Sequence, residues 1–268
     1  DAPSNGAILG WIKSAGTGTA QRVDLGGTPR LGGTVGYNLG LVTAGSRVRV
    51  ADRKRVTQGA YIMSRWRGGL FNEDILRITA IDSVGYRFWI RDVYGGGYTS
   101  PEPGNDFRVI DNGLNGVWAV WDRVGDTGGG LGVYAQMLDE DGIPAFGNPT
   151  RVSGGTTGNH LPDATLSYYL LVTWVDDSGT TPRLKYTHVD PGIGYAWPEK
   201  LVPGGYSNLR PCIVVSYPGH TPDFPNPLIA WQDERVGGGE IDIYASGLGI
   251  DGDPTHPNLV ATELNPAT

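Results

Sequence analysis

LIAWQDERVGGGEIDIYAS, residues 228–246, is the clearest copy of a pattern that recurs along all 268 residues. Its tryptophan, Trp231, has counterparts in Trp174 (LLVTWVDD), Trp121 (VWAVWDRV), Trp66 (YIMSRWRG) and Trp11 (AILGWIKS). Going backwards along the chain, the spacings are 57, 53, 55 and 55 residues, a fixed period that identifies a repeat architecture. After each tryptophan an alternating segment ends at an aspartate close to a glycine: Asp24, Asp82, Asp139, Asp190 and Asp251.

Period-two alternation is frequent, as in Arg47-Val48-Arg49-Val50 and Ile241-Asp242-Ile243-Tyr244, and no window of useful length has helical spacing. The 43 glycines and 19 prolines punctuate these segments as turns. Each period therefore reads as four short strands. The first is RVRVA (47–51), DFRVI (106–110), DATLS (163–167) or PCIVVS (211–216), and the second carries the tryptophan. The third leads to the Asp-Gly turn, and the fourth resembles TRVS (150–153), KLVP (200–203) or NLVA (258–261).

Four antiparallel strands per period and five periods predict an all-β, five-bladed β-propeller forming a single domain over residues 1–268. The five tryptophans are its expected structural core, because sheets that splay radially leave gaps only large side chains fill. The aspartates just after the tryptophan, Asp122, Asp176 and Asp233, are expected to accept backbone N–H bonds and fix the next hairpin.

The strings WQDERVGGGEIDIYAS (231–246) and WDRVGDTGGGLGVYAQMLDEDG (121–142) resemble the Trp-Asp-Arg, Ile-Tyr-Ala-Gln and Asp-Gly repeats of secreted prokaryotic β-propeller proteins. The likeness covers essentially the whole chain and is poorest in the first repeat. It is similar in layout to the Asp-box propellers, without their serine-x-aspartate-x-glycine-x-x-threonine-tryptophan box. What the resemblance implies is a fold and an extracellular or cell-surface location, and no activity.

One inner strand is unaccounted for. The opening DAPSNG (1–6) matches the loop after a first strand, and the closing ELNPAT (263–268) matches the loop before one. The two ends together form an imperfect strand, or the chain is excised from a longer precursor, or another subunit supplies the strand. The last option predicts head-to-tail copies of this chain and a filament. The absence of an initial methionine points to a removed leader or larger precursor.

A net charge of −7 offers nothing to nucleic acid or anionic lipid, and no apolar run is long enough to span a membrane. The lone Cys212, among Pro211, Ile213 and Val214, reads as a buried small hydrophobe. His160, His188, His220 and His256 lack metal-ligand spacing and read as loop or structural residues. Asp139 with Asp141, and Asp251 with Asp253, supply too few oxygens for Ca²⁺ and read as solvated turns.

Five-bladed propellers include glycoside hydrolases with acids on innermost strands, and Asp52, Asp111 and Asp163 are the candidates by position. In FWIRDVYGGGYTSP (88–101), Phe88 and Trp89 read as packed in a fourth strand, leaving Tyr94 and Tyr98 as ligand-binding candidates. The sequence expectation is a non-enzymatic extracellular structural or interaction propeller, a self-assembling surface or filament subunit, without cofactor, metal or catalytic residue. A glycan-binding, lectin-like propeller is the alternative, and a glycoside hydrolase stands third.

Overall fold

The computed structural model describes residues 6–12, 17–24, 37–41, 48–53, 59–67, 74–81, 87–93, 103–112, 116–123, 132–147, 149–154, 158–166, 169–190, 192, 194, 196–206, 211–216, 226–233, 242–248 and 254–261. Among the described residues every regular element is a strand. The first sheet holds β1 (Gly6–Ile12), β2 (Thr17–Asp24) and β3 (Tyr37–Leu41). The second holds β4 (Val48–Arg53), β5 (Gly59–Arg67), β6 (Asp74–Ile81) and β7 (Arg87–Asp92). The third is β8 (Pro103–Asp111), β9 (Val117–Arg123), β10 (Gly132–Leu138) and β11 (Thr150–Arg151). The fourth is β12 (Asn159–Leu166), β13 (Leu170–Asp176), β14 (Arg183–Val189) and β15 (Lys200–Tyr206). The fifth is β16 (Cys212–Ser216), β17 (Asn226–Asp233), β18 (Asp242–Leu248) and β19 (Pro254–Ala261).

In every sheet each strand pairs with its neighbours in sequence. Successive up-and-down sheets of this kind are the blades of a β-propeller. Trp11 lies on β1, and Trp66, Trp121, Trp174 and Trp231 lie on the second strands of the later sheets. The three described strands of the first sheet therefore correspond to the second, third and fourth strands of the others.

The chain forms two compact units, Asp1–Trp121 with Ala135–Pro149, and Asp122–Tyr134 with Thr150–Thr268. In the first unit, Val117, Trp118, Ala119, Val120 and Trp121 are all buried, so this stretch of β9 is covered on both faces. Tyr61, Ile62 and Met63 of β5 are likewise enclosed. Trp89 on β7 is buried beside Tyr61, and its indole N–H donates to the Glu140 carbonyl at 2.7 Å.

In the second unit all seven residues of β13 are buried. The apolar core joins the fourth and fifth sheets through Leu171, Tyr186, Ile213, Ile229, Trp231 and Tyr244. The Trp231 and Tyr244 rings stack at 6.0 Å, facing each other across paired strands. Truncating buried aromatics of this size costs about 3–5 kcal/mol, so a few such positions set much of the stability.

The Asp-Gly turns are built from hydrogen bonds within the chain. Asp139 Oδ1 accepts the N–H groups of Asp141 at 3.0 Å and Ile143 at 2.8 Å, and Gly142 takes φ of 74°. The next repeat uses the same device, with the N–H of Gly192 donating to Asp190 Oδ1 at 2.7 Å and Gly194 at φ of 65°. Asp251 and Asp253 lie outside the described residues.

Cys212 departs from expectation. It is exposed, because strand alternation that buries Ile213 turns its neighbour to the other face.

Candidate functional site

The first strand of the fourth sheet is irregular. Pairing runs Asn159↔Asp176 and His160↔Val175, then resumes at Asp163↔Thr173, so Leu161 and Pro162 oppose Trp174 alone. This is a β-bulge, and proline suits it because no ladder hydrogen bond is required of its nitrogen. Leu161 has φ of 53°, a left-handed conformation that costs a side-chain-bearing residue on the order of 1–3 kcal/mol. Such strain persists where the surroundings hold it and concentrates at functional positions.

Those surroundings are specific. Trp174 donates its indole N–H to Asn159 Oδ1 at 2.9 Å, while Asn159 donates its amide to the Gly154 carbonyl at 3.1 Å. His160 Nδ1 lies 3.2 Å from the Gly158 carbonyl and 3.6 Å from Asp177 Oδ2.

The bulge delivers Asp163, which is 7% exposed. Its Oδ1 accepts the Ala164 N–H and its Oδ2 the Ile213 N–H, each at 3.0 Å. Asp163 therefore lies inside β12, four residues past the strand's start, and not at a strand entrance as its sequence suggested.

Asp106 and Asp111 are buried on β8 of the first unit. They are five residues apart on one strand, about 17 Å in extended chain. With period-two alternation, an odd separation also turns them to opposite faces, so the two do not form an acid pair. Asp106 was passed over in the sequence, although DFRVI set against DATLS places it where Asp163 stands in the next repeat. The side chain of Asp52, the third sequence candidate, lies outside the described residues.

A cleft of about 440 Å³ opens beside the turn between β13 and β14, lined by Asp176, Ser178, Thr181, Arg183, Lys185, Glu199 and Lys200 among others. Lys185 Nζ bridges Asp176 Oδ2 at 2.6 Å and Glu199 Oε1 at 2.5 Å. Burial works to raise the Asp176 pKa, but hydrogen bonds from Lys185 and Ser178 outweigh it and hold the carboxyl below its ordinary value. Burial works to lower Lys185, and its bonds to Asp176 and Glu199 reverse that, raising the ammonium. The two carboxylate oxygens are thus no more than about 5 Å apart, close enough for an acid pair, yet a general acid needs its proton near neutral pH. With its pKa held down by the ammonium, Asp176 is not placed to act as a general acid. Asp176 also keeps the hairpin role read from the sequence, accepting the Ser178 N–H at 3.0 Å.

At the other end of the fourth sheet, Trp197 is 44% exposed, with its ring 5.6 Å from Tyr169 and 5.8 Å from His188. Its backbone is fixed, since its N–H donates to the His188 carbonyl at 2.9 Å and its carbonyl accepts the Thr187 hydroxyl at 2.6 Å. His188 is buried under these rings, in β14 and not in a loop.

Tyr94 and Tyr98, the binding candidates read from the sequence, lie outside the described residues. Of the five repeat tryptophans, Trp121, Trp174 and Trp231 are buried, while the side chains of Trp11 and Trp66 are outside the described set. Among the described residues no three His, Cys, Asp or Glu side chains group as metal ligands. No described helix is long and apolar enough to cross a membrane.

No family model matches the sequence, and no curated protein matches it significantly. Solved structures with a similar chain path include an endo-arabinase from Bacteroides thetaiotaomicron, at 13% identity and TM-score 0.48, covering 94% of this chain and 93% of that one. An α-L-arabinofuranosidase from Clostridium thermocellum has 14% identity and TM-score 0.44, over 98% and 96% of the two chains. A GH43 β-1,3-galactosidase has 11% identity and TM-score 0.47 over 92% of this chain, which spans 55% of its length. At these identities the likeness transfers no residue role. All three are enzymes acting on sugars, as in the reading that stood third, and they run against the expectation of a non-enzymatic structural or filament subunit.

Proposed function

We propose that this propeller is a glycoside hydrolase and that Asp163 is one of its working carboxylates. The observation that carries the reading is a buried aspartate on a bulged, strained first strand, with both carboxylate oxygens fixed by backbone donors. Fixing a reactive group on a rigid element is how a site avoids reorganising during reaction.

In the reaction, water adds across the glycosidic bond. The water oxygen ends on the anomeric carbon, and a proton reaches the leaving sugar oxygen. One carboxyl group supplies that proton, and a second supports the anomeric carbon or activates the water. The repeat resemblance favours an extracellular setting, where polysaccharide substrates are found.

The test is release of reducing sugar from a polysaccharide panel that includes an arabinan and a β-1,3-galactan. Activity on one member, reduced at least about 100-fold in Asp163→Asn with the fold retained, supports the reading. No turnover on any member, or full activity in Asp163→Asn, refutes it.

The exposed Trp197 with Tyr169 favours a second reading, glycan retention, because rings held on a rigid scaffold stack on sugar faces. It is compatible with hydrolysis and is tested by Trp197→Ala in a pull-down on insoluble polysaccharide.

A further inference from the structure

The cleft between the β13–β14 turn and β15 differs in charge from the molecule that carries it. The whole chain has a net charge of −7, yet Lys185, Arg183 and Lys200 outnumber Asp176 and Glu199 in the cleft lining. Both acids are already engaged by Lys185, at 2.6 and 2.5 Å, and Glu199 also accepts the Gly154 N–H at 2.9 Å. Among the described residues, the exposed side chain of Arg183 has no hydrogen-bond or ion-pair partner. Ser178 and Thr181 add hydroxyl groups to the same wall. A concave site of this volume, with one more base than acid in its lining, an exposed guanidinium and two hydroxyls, suits a small polar anion better than an apolar ligand.

The cleft also lies at the end of the fourth sheet where β12 begins, since Asn159 pairs with Asp176. Asp163 is four residues further along that strand.

We propose that the cleft is a subsite for a carboxylate-bearing sugar, with Arg183 gripping the carboxylate and Ser178 and Thr181 contacting ring hydroxyls. This rests on the hydrolase reading and narrows it to acidic glycans. Arginine is suited to the role because its planar fork matches a carboxylate with two parallel hydrogen bonds, which lysine cannot reproduce.

The experiment is titration calorimetry on the full chain with trigalacturonate and with neutral galactotriose. Trigalacturonate is expected to bind at least about tenfold tighter, with the advantage shrinking as salt is added. Arg183→Gln should abolish the preference, and Arg183→Lys should restore only part of it. Equal affinity for the two sugars, or a preference that survives Arg183→Gln, overturns the proposal. A triglutamate peptide binding as tightly as trigalacturonate also overturns it, by removing the sugar from the recognition.

Repeating the titration in Asp163→Asn and assaying cleavage in parallel separates the two claims. Arg183-dependent uronide binding by a chain that cleaves nothing upholds the subsite as a binding site and sinks the hydrolase reading alone. Cleavage of neutral glycans without uronide preference sinks the subsite alone.

Discussion

Asp163 Oδ2 accepts the N–H of Ile213 at 3.0 Å, linking the first strand of the fourth sheet to the first strand of the fifth. The carboxylate therefore has a joining role as well as the chemical one proposed for it, and the two are separable by substitution. Asp163→Ala leaves two buried N–H donors unsatisfied and should cost about 2–4 kcal/mol in urea denaturation. Asp163→Asn keeps one acceptor and should cost about half as much, while losing hydrolysis as fully. Activity that tracked stability across the two variants would mean that Asp163 only joins strands.

Lys185 gives a pH signature. Asp176 is held below its ordinary value, so its contribution is present above the usual carboxylate range and disappears as pH falls through the lowered value. Lys185 is held above its ordinary value, so its contribution is complete below the usual lysine range and fades as pH rises through the raised value. Lys185→Met should therefore cost about 1–3 kcal/mol near neutral pH, and the gap from wild type should close as pH falls through the lowered Asp176 value and as it rises through the raised Lys185 value. Urea midpoints measured across that range check both limits.

Two buried tryptophans should respond differently to phenylalanine. The Trp174 indole N–H is bonded to Asn159, whereas that of Trp118 is buried without an acceptor among the described residues. Removing the Trp174 donor takes a buried hydrogen bond from Asn159 Oδ1, and removing the Trp118 donor relieves a buried unpaired group. Trp174→Phe should be the more destabilising by about 1–3 kcal/mol, read from paired denaturation curves.

Gly142 is committed by both backbone and space. It has φ of 74°, and a Cβ there would lie 2.7 Å from the Trp89 ring. Gly142→Ala should cost about 1–3 kcal/mol and displace the indole from the Glu140 carbonyl, visible as a change in near-ultraviolet circular dichroism.

The repeat was legible in the sequence because a tryptophan recurs at a steady interval, on β1 of the first sheet and on the second strand of each later one, and the strands around Trp121, Trp174 and Trp231 carry the apolar runs that buried strands require. Asp163 could be marked as an acid but not as an acid on a bulge. A left-handed leucine has no local sequence signature, and Pro162 was the only hint. The cleft was hidden for a different reason. Asp176, Lys185 and Glu199 come from separate segments, and only the pairing of β13 with β14 and of β14 with β15 brings them together. Strand alternation does not name a partner strand. The same rule, applied at Cys212, would have given exposure, but its apolar neighbours obscured it.

That cysteine provides a practical handle. It is the one thiol in the sequence, it faces solvent, and it immediately precedes the residue whose N–H Asp163 holds. A maleimide fluorophore would attach at one known position without any engineered background, and its emission would follow the opening of that joint during unfolding or as a glycan arrives.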